Sequence, residues 1–202
     1  PPTVRRLGRI RRALDQLVGV IEGNLDRSRL DGATATCAPR PVDPRPVVEA
    51  AVEQARNSCG GRPLLVRFES MDEIDRVTID PQLVMLALVN LIENAAKFSA
   101  PAAGVEIVCG GRADGLEIAV LDRGIGVAAE DLPQLKEKYF RGANAAGIAG
   151  MGMGLRFVDT IARAHGASLR LEHRDGGGMI ATLHIPVAPA RHVGRGAWKA
   201  AE

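Results

Sequence analysis

Asn90, Asn94 and Lys97 lie four and three residues apart, which puts them on one face of any helix that runs there. Amides on a mostly apolar helix are costly to bury unless something satisfies them. A hydrated metal ion bound to phosphate would do so, because an amide oxygen is a hard ligand and lysine is a natural phosphate partner. Bonds to neighbouring backbone would serve as well, and for asparagines on a helix taken alone that plainer reading leads. Further along, Asp122 closes the apolar run of VLDRGIG (120–126), with Gly124 and Gly126 just after it. A carboxylate emerging from a buried strand can accept a hydrogen bond from an exocyclic amine, and the glycines let backbone approach a flat ring. Asp-x-Gly turns are common, so this signature is weak by itself. In GMGMGL (150–155), Gly150, Gly152 and Gly154 alternate and run straight into a helical pattern. The free N–H groups and the dipole at such a helix start suit a phosphate. No strand precedes this segment and GKS/T is absent, so neither the dinucleotide fingerprint nor the P-loop fits.

These side chains need elements to hold them. Asp80-Pro81 is a helix start, since Asp caps free N–H groups and proline suits the first turn. The helix should run from Pro81 to about Phe98, apolar nearly all round in its first half, and stop before Ser99-Ala100-Pro101. A second helix is expected over Val47–Asn57, a short one around Glu130–Lys138, and another from Leu155 to Ala164, ending at His165-Gly166. Strand patterns fall at 64–70, 76–80, 105–110, 116–122, 168–173 and 179–185. Strands and helices in this mixed order predict an α+β fold, a largely antiparallel sheet with helices on one face. Ahead of it, Leu7, Ile10, Leu14, Leu17 and Ile21 alternate steps of three and four, the seam of a helix over 4–30 that packs on a partner helix. Asn24 interrupts that seam, which predicts a monomer or at most a weak homodimer through helix 4–30. The expected organisation is therefore a helical stalk over 1–33, a proline-rich linker over 34–46, a compact domain over 47–188 and a disordered tail over 189–202.

Bulk properties narrow the classes further. The chain has 202 residues and is 46% hydrophobic but only 3% aromatic, so its core must be built from Leu, Ile, Val and Ala. With 26 Lys+Arg against 24 Asp+Glu there is no bulk case for nucleic acid as a partner. Arginines do gather at Arg5, Arg6, Arg9, Arg11 and Arg12, and on a helix they read first as a solvated face. Cys37, Cys59 and Cys109 are scattered and fit a reducing compartment better than a disulfide framework. No apolar run approaches the roughly 18 residues of a membrane span.

Taken in order, NLIENAAKFS (90–99), DRGIG (122–126), EKYFRG (137–142) and GMGMGL (150–155) resemble the N, G1, F and G2 boxes of the GHKL ATPases. Among those, they most resemble the catalytic ATP-binding domain of sensor histidine kinases, over about Pro41 to Pro186. The resemblance implies the Bergerat fold, an α/β sandwich that holds ATP between the N-box helix and a mobile lid. It implies that Asn94 binds Mg²⁺, that Asn90 lies near the phosphates, that Lys97 contacts phosphate and that Phe98 packs on the adenine. Asp122 then matches the carboxylate that reads the adenine amino group, with Gly124 and Gly126 shaping that wall. Gly150, Gly152 and Gly154 match the lid hinge and phosphate cradle, residues 127–149 the lid, and Tyr139, Arg141 and Leu155 further nucleotide contacts. On this reading Asn90, Asn94 and Lys97 carry the catalytic roles. One departure stands out, because Lys136 occupies the place where the family usually has Phe, and altered lid packing is the expected consequence.

The family's phosphoacceptor segment, which resembles HExRTPL, has no counterpart here. His165, His173, His184 and His192 all fall in or after the ATP domain. The helix over 4–30 resembles the second helix of the dimeric bundle, so the acceptor helix is expected elsewhere in the same parent protein, with a response regulator as downstream partner. The expected setting is the cytoplasmic portion of a membrane-anchored bacterial protein. Two alternatives stand beside an ATP-dependent histidine kinase. One is a serine-directed anti-sigma-type kinase, which the heptad helix argues against; the other is a nucleotide-sensing module without catalysis, for which Lys136 is the hint.

Overall fold

The computed structural model describes residues 37–71, 74–145, 147–148 and 150–187. The helix expected over 4–30 with its homodimer, the start of the linker and the tail after 189 lie outside the described residues.

The main sheet contains β2 (Leu64–Glu69), β4 (Val105–Arg112), β5 (Gly115–Leu121), β6 (Ser168–His173) and β7 (Met179–Pro186), in the order β2-β4-β5-β7-β6. Only β2 and β4 run parallel; every other neighbouring pair is antiparallel. The strands alternate, as a half-buried sheet requires. Val105, Ile107 and Cys109 on β4, and Leu116, Ile118 and Val120 on β5, are buried on the inner face. The outer face carries ion pairs, among them Arg67–Glu106 at 3.4 Å, Arg112–Glu117 at 3.0 Å and Arg170–Glu117 at 3.3 Å.

Three helices cover the inner face: α1 (Pro44–Ser58), α2 (Pro81–Phe98) and α3 (Gly154–Ala164), with α2 packed between the other two. The Asp80 carboxylate caps α2, accepting from Gln82 N–H at 3.0 Å and Leu83 N–H at 3.2 Å, with Pro81 in the first turn. At the other end, the Arg62 guanidinium bonds the Ser99 and Ala100 carbonyls just beyond the helix. His165 ties α3 back to α2. Its Nε2 accepts the Asp80 N–H at 2.9 Å while Nδ1 faces the Ile161 carbonyl at 2.8 Å. That pairing needs a neutral ring protonated on Nδ1.

The structure departs from the sequence reading in three places. The segment expected to be linker supplies β1 (Arg40–Val42), and α1 opens at Pro44 instead of Val47. Asp43 caps that helix through Arg45 N–H at 2.9 Å, and proline is tolerated both in its first turn and on an edge strand. Second, the strand expected at 76–80 is β3 (Val77–Ile79), which pairs with β1 in a separate two-stranded sheet. The Asp80 carboxylate helps to hold this approach by accepting the Ala38 N–H at 3.1 Å. Third, the helix expected at 130–138 is a 3-10 turn over Leu132–Lys136, too short to sustain α-helical bonding.

Candidate functional site

The second half of α2 brings its amides to a cavity of about 550 Å³ between α2, α3, the inner face of the sheet and the segment 125–153. Asn90 and Asn94 sit one turn apart, and Asn94 Nδ2 donates to Asn90 Oδ1 at 3.0 Å. That bond leaves the Asn94 carbonyl oxygen outside the pair, and it is this atom that has ligand chemistry. Lys97 lies one turn further on, with its ammonium 5.1 Å from the centre of the Phe98 ring. Both residues line the cavity.

Asp122 enters from the opposite wall. It follows β5 on the inward-facing register of Ile118 and Val120 and is 7% exposed. Its Oδ1 accepts the Gly124 N–H at 2.7 Å and the Met179 N–H at 3.2 Å. Burial pushes its carboxyl above the ordinary value; the two backbone bonds and the Arg174 charge oppose this without cancelling it. Asn94 and Asp122, on separate elements, thus line one cavity.

The glycine segment forms the third wall. Gly150, Gly152 and Gly154 all line the cavity, as does Leu155. Gly152 has φ +69, and a Cβ there would meet the Phe140 carbonyl at 2.5 Å, so only glycine lets the loop pass the backbone at Phe140. At Gly150 a Cβ would come within 2.2 Å of Lys97 Nζ, which places that ammonium against the loop. Residue Met153 offers α3 no capping side chain, in contrast to Asp43 and Asp80 on the other two helices. The first turn of α3 therefore has no side-chain cap where Gly154 and Leu155 meet the cavity, and with the positive end of the helix dipole it suits an anion.

Of the residues singled out from sequence, Asn90, Asn94, Lys97, Phe98, Asp122, Gly126, Arg141, Gly150, Gly152, Gly154 and Leu155 line this cavity. Two do not. Gly124 stands behind the wall, paired with Ser99, where a Cβ would meet the Phe98 carbonyl at 2.6 Å. Tyr139 is 61% exposed on a left-handed backbone (φ +63), and the neighbouring Phe140 lines the cavity instead. Sequence reasoning missed Ile125, Val120, Met179 and Ala181, which form the apolar flank beside Asp122. The two-residue alternation of the strands was the available signal for the last three.

Lys136, at the departure from the family pattern, makes two polar contacts. Its ammonium lies 3.6 Å from Asp159 on α3 and donates to the Leu169 carbonyl at 3.2 Å.

An apolar slot with a buried carboxylate at one end, and amides, a lysine and an open helix start at the other, suits a purine nucleotide lying lengthwise. Among the described residues no group of three or more His, Cys, Asp or Glu could hold a metal ion. These features place the chain in the class of ATP-binding domains built on an α/β sandwich. Residues 79–189 match the family described as histidine kinase-, DNA gyrase B-, and HSP90-like ATPase, and the chain belongs to that family.

Its relatives include sensor kinases. The sensor-like histidine kinase SenX3 of Mycobacterium tuberculosis is 32% identical over 187 residues, covering 91% of this chain and 45% of that protein. MprB of Mycolicibacterium smegmatis, a signal transduction histidine-protein kinase/phosphatase, is 30% identical over 94% of this chain and 38% of its own length. The solved structure of a mycobacterial sensor histidine kinase MprB superposes with a TM-score of 0.66 at 25% identity, covering 74% of this chain and 99% of that one. The chain therefore spans less than half the length of these curated relatives.

Proposed function

We propose that this chain is the ATP-binding catalytic part of a sensor histidine kinase, moving the γ-phosphoryl group of Mg·ATP to a histidine on a helix outside the ATP domain. The observation that carries the reading is the convergence of Asn94, Asp122 and the Gly154 helix start on one cavity. Asp122 accepts from the adenine amino group, and the apolar flank of Ile125 and Met179 covers the ring. Lys97 and the first N–H groups of α3 balance phosphate charge, which is most of what a protein supplies to phosphoryl transfer. Mg²⁺, when bound, would supply neutralising charge for the phosphates. Among the described residues no His, Cys, Asp or Glu cluster stands there, and Asn94 is the side chain that would hold it. The acceptor imidazole is itself the nucleophile, so the domain supplies none.

The partners that follow are the acceptor helix of the same parent protein and a response regulator, with at most a weak homodimer through the segment 4–30. Among the described residues no helix is long and apolar enough to cross a membrane. The reading places this chain on the cytoplasmic side of a membrane-anchored parent.

Calorimetric titration of adenine nucleotides with and without Mg²⁺, in wild type and Asn94→Ala, tests the binding half. Metal-dependent binding that the substitution weakens is expected; equal affinity in both proteins would remove Asn94 from the site. Mixing the chain with a separately made acceptor-helix fragment and looking for acid-labile phosphate tests transfer. Binding without transfer would favour a nucleotide-sensing module.

A further inference from the structure

The inner face of α3 is apolar at Phe157, Val158, Ile161 and Ala162, yet the same buried stretch includes Asp159, which is only 7% exposed. A carboxylate in such surroundings needs cationic partners, because an unpaired buried charge is strongly destabilising. It has two. Arg163 Nε approaches at 2.8 Å from a side chain that is 78% exposed and belongs to the same helix. The other is Lys136 Nζ at 3.6 Å, from a less exposed side chain that belongs to the 3-10 turn Leu132–Lys136 of the lid. The same ammonium donates to the Leu169 carbonyl on β6, so one side chain joins lid, helix and sheet.

The position of this junction matters. Leu135, adjacent to Lys136, lines the nucleotide cavity, and α3 begins at Gly154 on the cavity wall. Further along the lid, Asn144 Nδ2 donates to the Gly126 carbonyl at 2.9 Å, so that stretch is held by the loop after Asp122. The near end is held by a charge pair, whose strength depends on salt and on both partners.

We propose that Lys136 is a positioning residue of the nucleotide site. Its pair with Asp159 seats the first turn of the lid on α3, sets Leu135 at the cavity wall and thereby slows nucleotide release. The idea rests on the nucleotide-binding reading above. It also turns the position where the family usually has Phe from a defect into an electrostatic latch.

The test measures dissociation of a fluorescent ATP analogue by stopped flow, with Mg²⁺, in wild type, Lys136→Met, Lys136→Arg, Asp159→Asn and the Lys136→Met/Asp159→Asn double variant. Met keeps the aliphatic stem and removes only the ammonium. Release should quicken about fivefold in Lys136→Met, the scale of one partly buried pair, and return towards wild type in Lys136→Arg. The double variant should release no faster than the single ones, because coupled partners are not additive. Raising salt should quicken release more in wild type than in Lys136→Met, where only the phosphate contacts remain to be screened. Amide hydrogen exchange of the nucleotide-free protein gives an independent reading, with exchange over 132–136 in Lys136→Met expected to rise more than in the rest of the domain. Unaltered release and unaltered exchange in Lys136→Met, with wild type still binding nucleotide, would overturn the latch and spare the function. Wild type that binds no adenine nucleotide would overturn both.

Discussion

A Cβ built on Gly154 would stand 2.6 Å from Oδ1 of Asn90 and 3.0 Å from Nδ2 of Asn94, so the start of α3 rests directly on the amide pair of α2. Gly154 is not in the left-handed region, and alanine is otherwise a better helix residue. The amide ends can swing aside more readily than two packed helices can part. Gly154→Ala should therefore keep the fold, with a melting temperature within a few degrees of wild type, while Mg²⁺-dependent ATP affinity falls about tenfold or more, the equivalent of about 1.4 kcal/mol. Calorimetry and thermal melting on the same sample separate the two effects. Unchanged affinity would mean that the Asn90–Asn94 arrangement is not what the metal-bound nucleotide needs.

Asp122 allows function and stability to be moved in opposite directions. Burial raises its carboxyl above the ordinary value, so the folded state favours the protonated form. The associated stability is complete below the unfolded-state value near pH 4 and is lost as pH rises through the raised folded value. At neutral pH the ionised group is a liability that Asp122→Asn removes, while its amide oxygen can still accept from Gly124 and Met179. The variant should melt at or above wild type at pH 7, with the gap closing towards pH 4. Its adenine-nucleotide affinity should drop about 10- to 100-fold, the scale of a hydrogen bond to a charged acceptor. A variant that binds ATP normally would show that Asp122 does not read the base.

The same residues show how far the sequence could be read. Asn90, Asn94 and Lys97 share a face because helix geometry makes it so, and Asp80-Pro81 marks the start of α2 by cap chemistry alone. Strands β4 to β7 follow from two-residue alternation, and their inner positions supply the wall beside Asp122. The pairing of β1 with β3 was not legible. Each has three residues, too few for a period, and their contact is made across the whole of α1. Nor could local pattern distinguish Tyr139, turned outward on a left-handed backbone, from Phe140 beside it. The meeting of Lys136 with Asp159 depends on how the turn Leu132–Lys136 crosses α3, which no local spacing encodes.

Gly178 is expected to be the most sensitive glycine outside the cavity. It adopts φ +96, and a Cβ there would meet the Asp122 carbonyl oxygen at 2.2 Å, a backbone atom that cannot swing away. Gly178→Ala should cost about 1–3 kcal/mol from the backbone strain alone. It should also disturb the Met179 N–H that bonds Asp122. Urea unfolding would show a lower midpoint, and nucleotide affinity should fall with it. A variant as stable as wild type would contradict the tight approach of the β6–β7 turn to the end of β5.

Acid sensitivity should arise in part on the outer face of the sheet. Glu106 lies between Arg174, to which its side chain bonds, and Arg67 at 3.4 Å. The Arg174 hydrogen bond, followed by the charges of Arg174, Arg67 and Arg123, outweighs partial burial and holds its carboxyl below the ordinary value. A depressed carboxyl stabilises the fold fully above the unfolded-state value near pH 4.3 and loses that contribution as pH falls through the folded value. Glu106→Gln never has the charge-dependent part to lose. Wild type should therefore melt higher than the variant at pH 7, and the difference should shrink steadily between about pH 4.5 and pH 2. Arg174 also donates to the Asp122 carbonyl at 3.3 Å, which links Glu106 to the cavity wall at Asp122. Melting curves in matched ionic strength, with ATP affinity measured at pH 7, separate a purely structural pair from one that supports Asp122. A pH-independent difference in melting would mean that the Glu106 charge contributes nothing beyond its hydrogen bond.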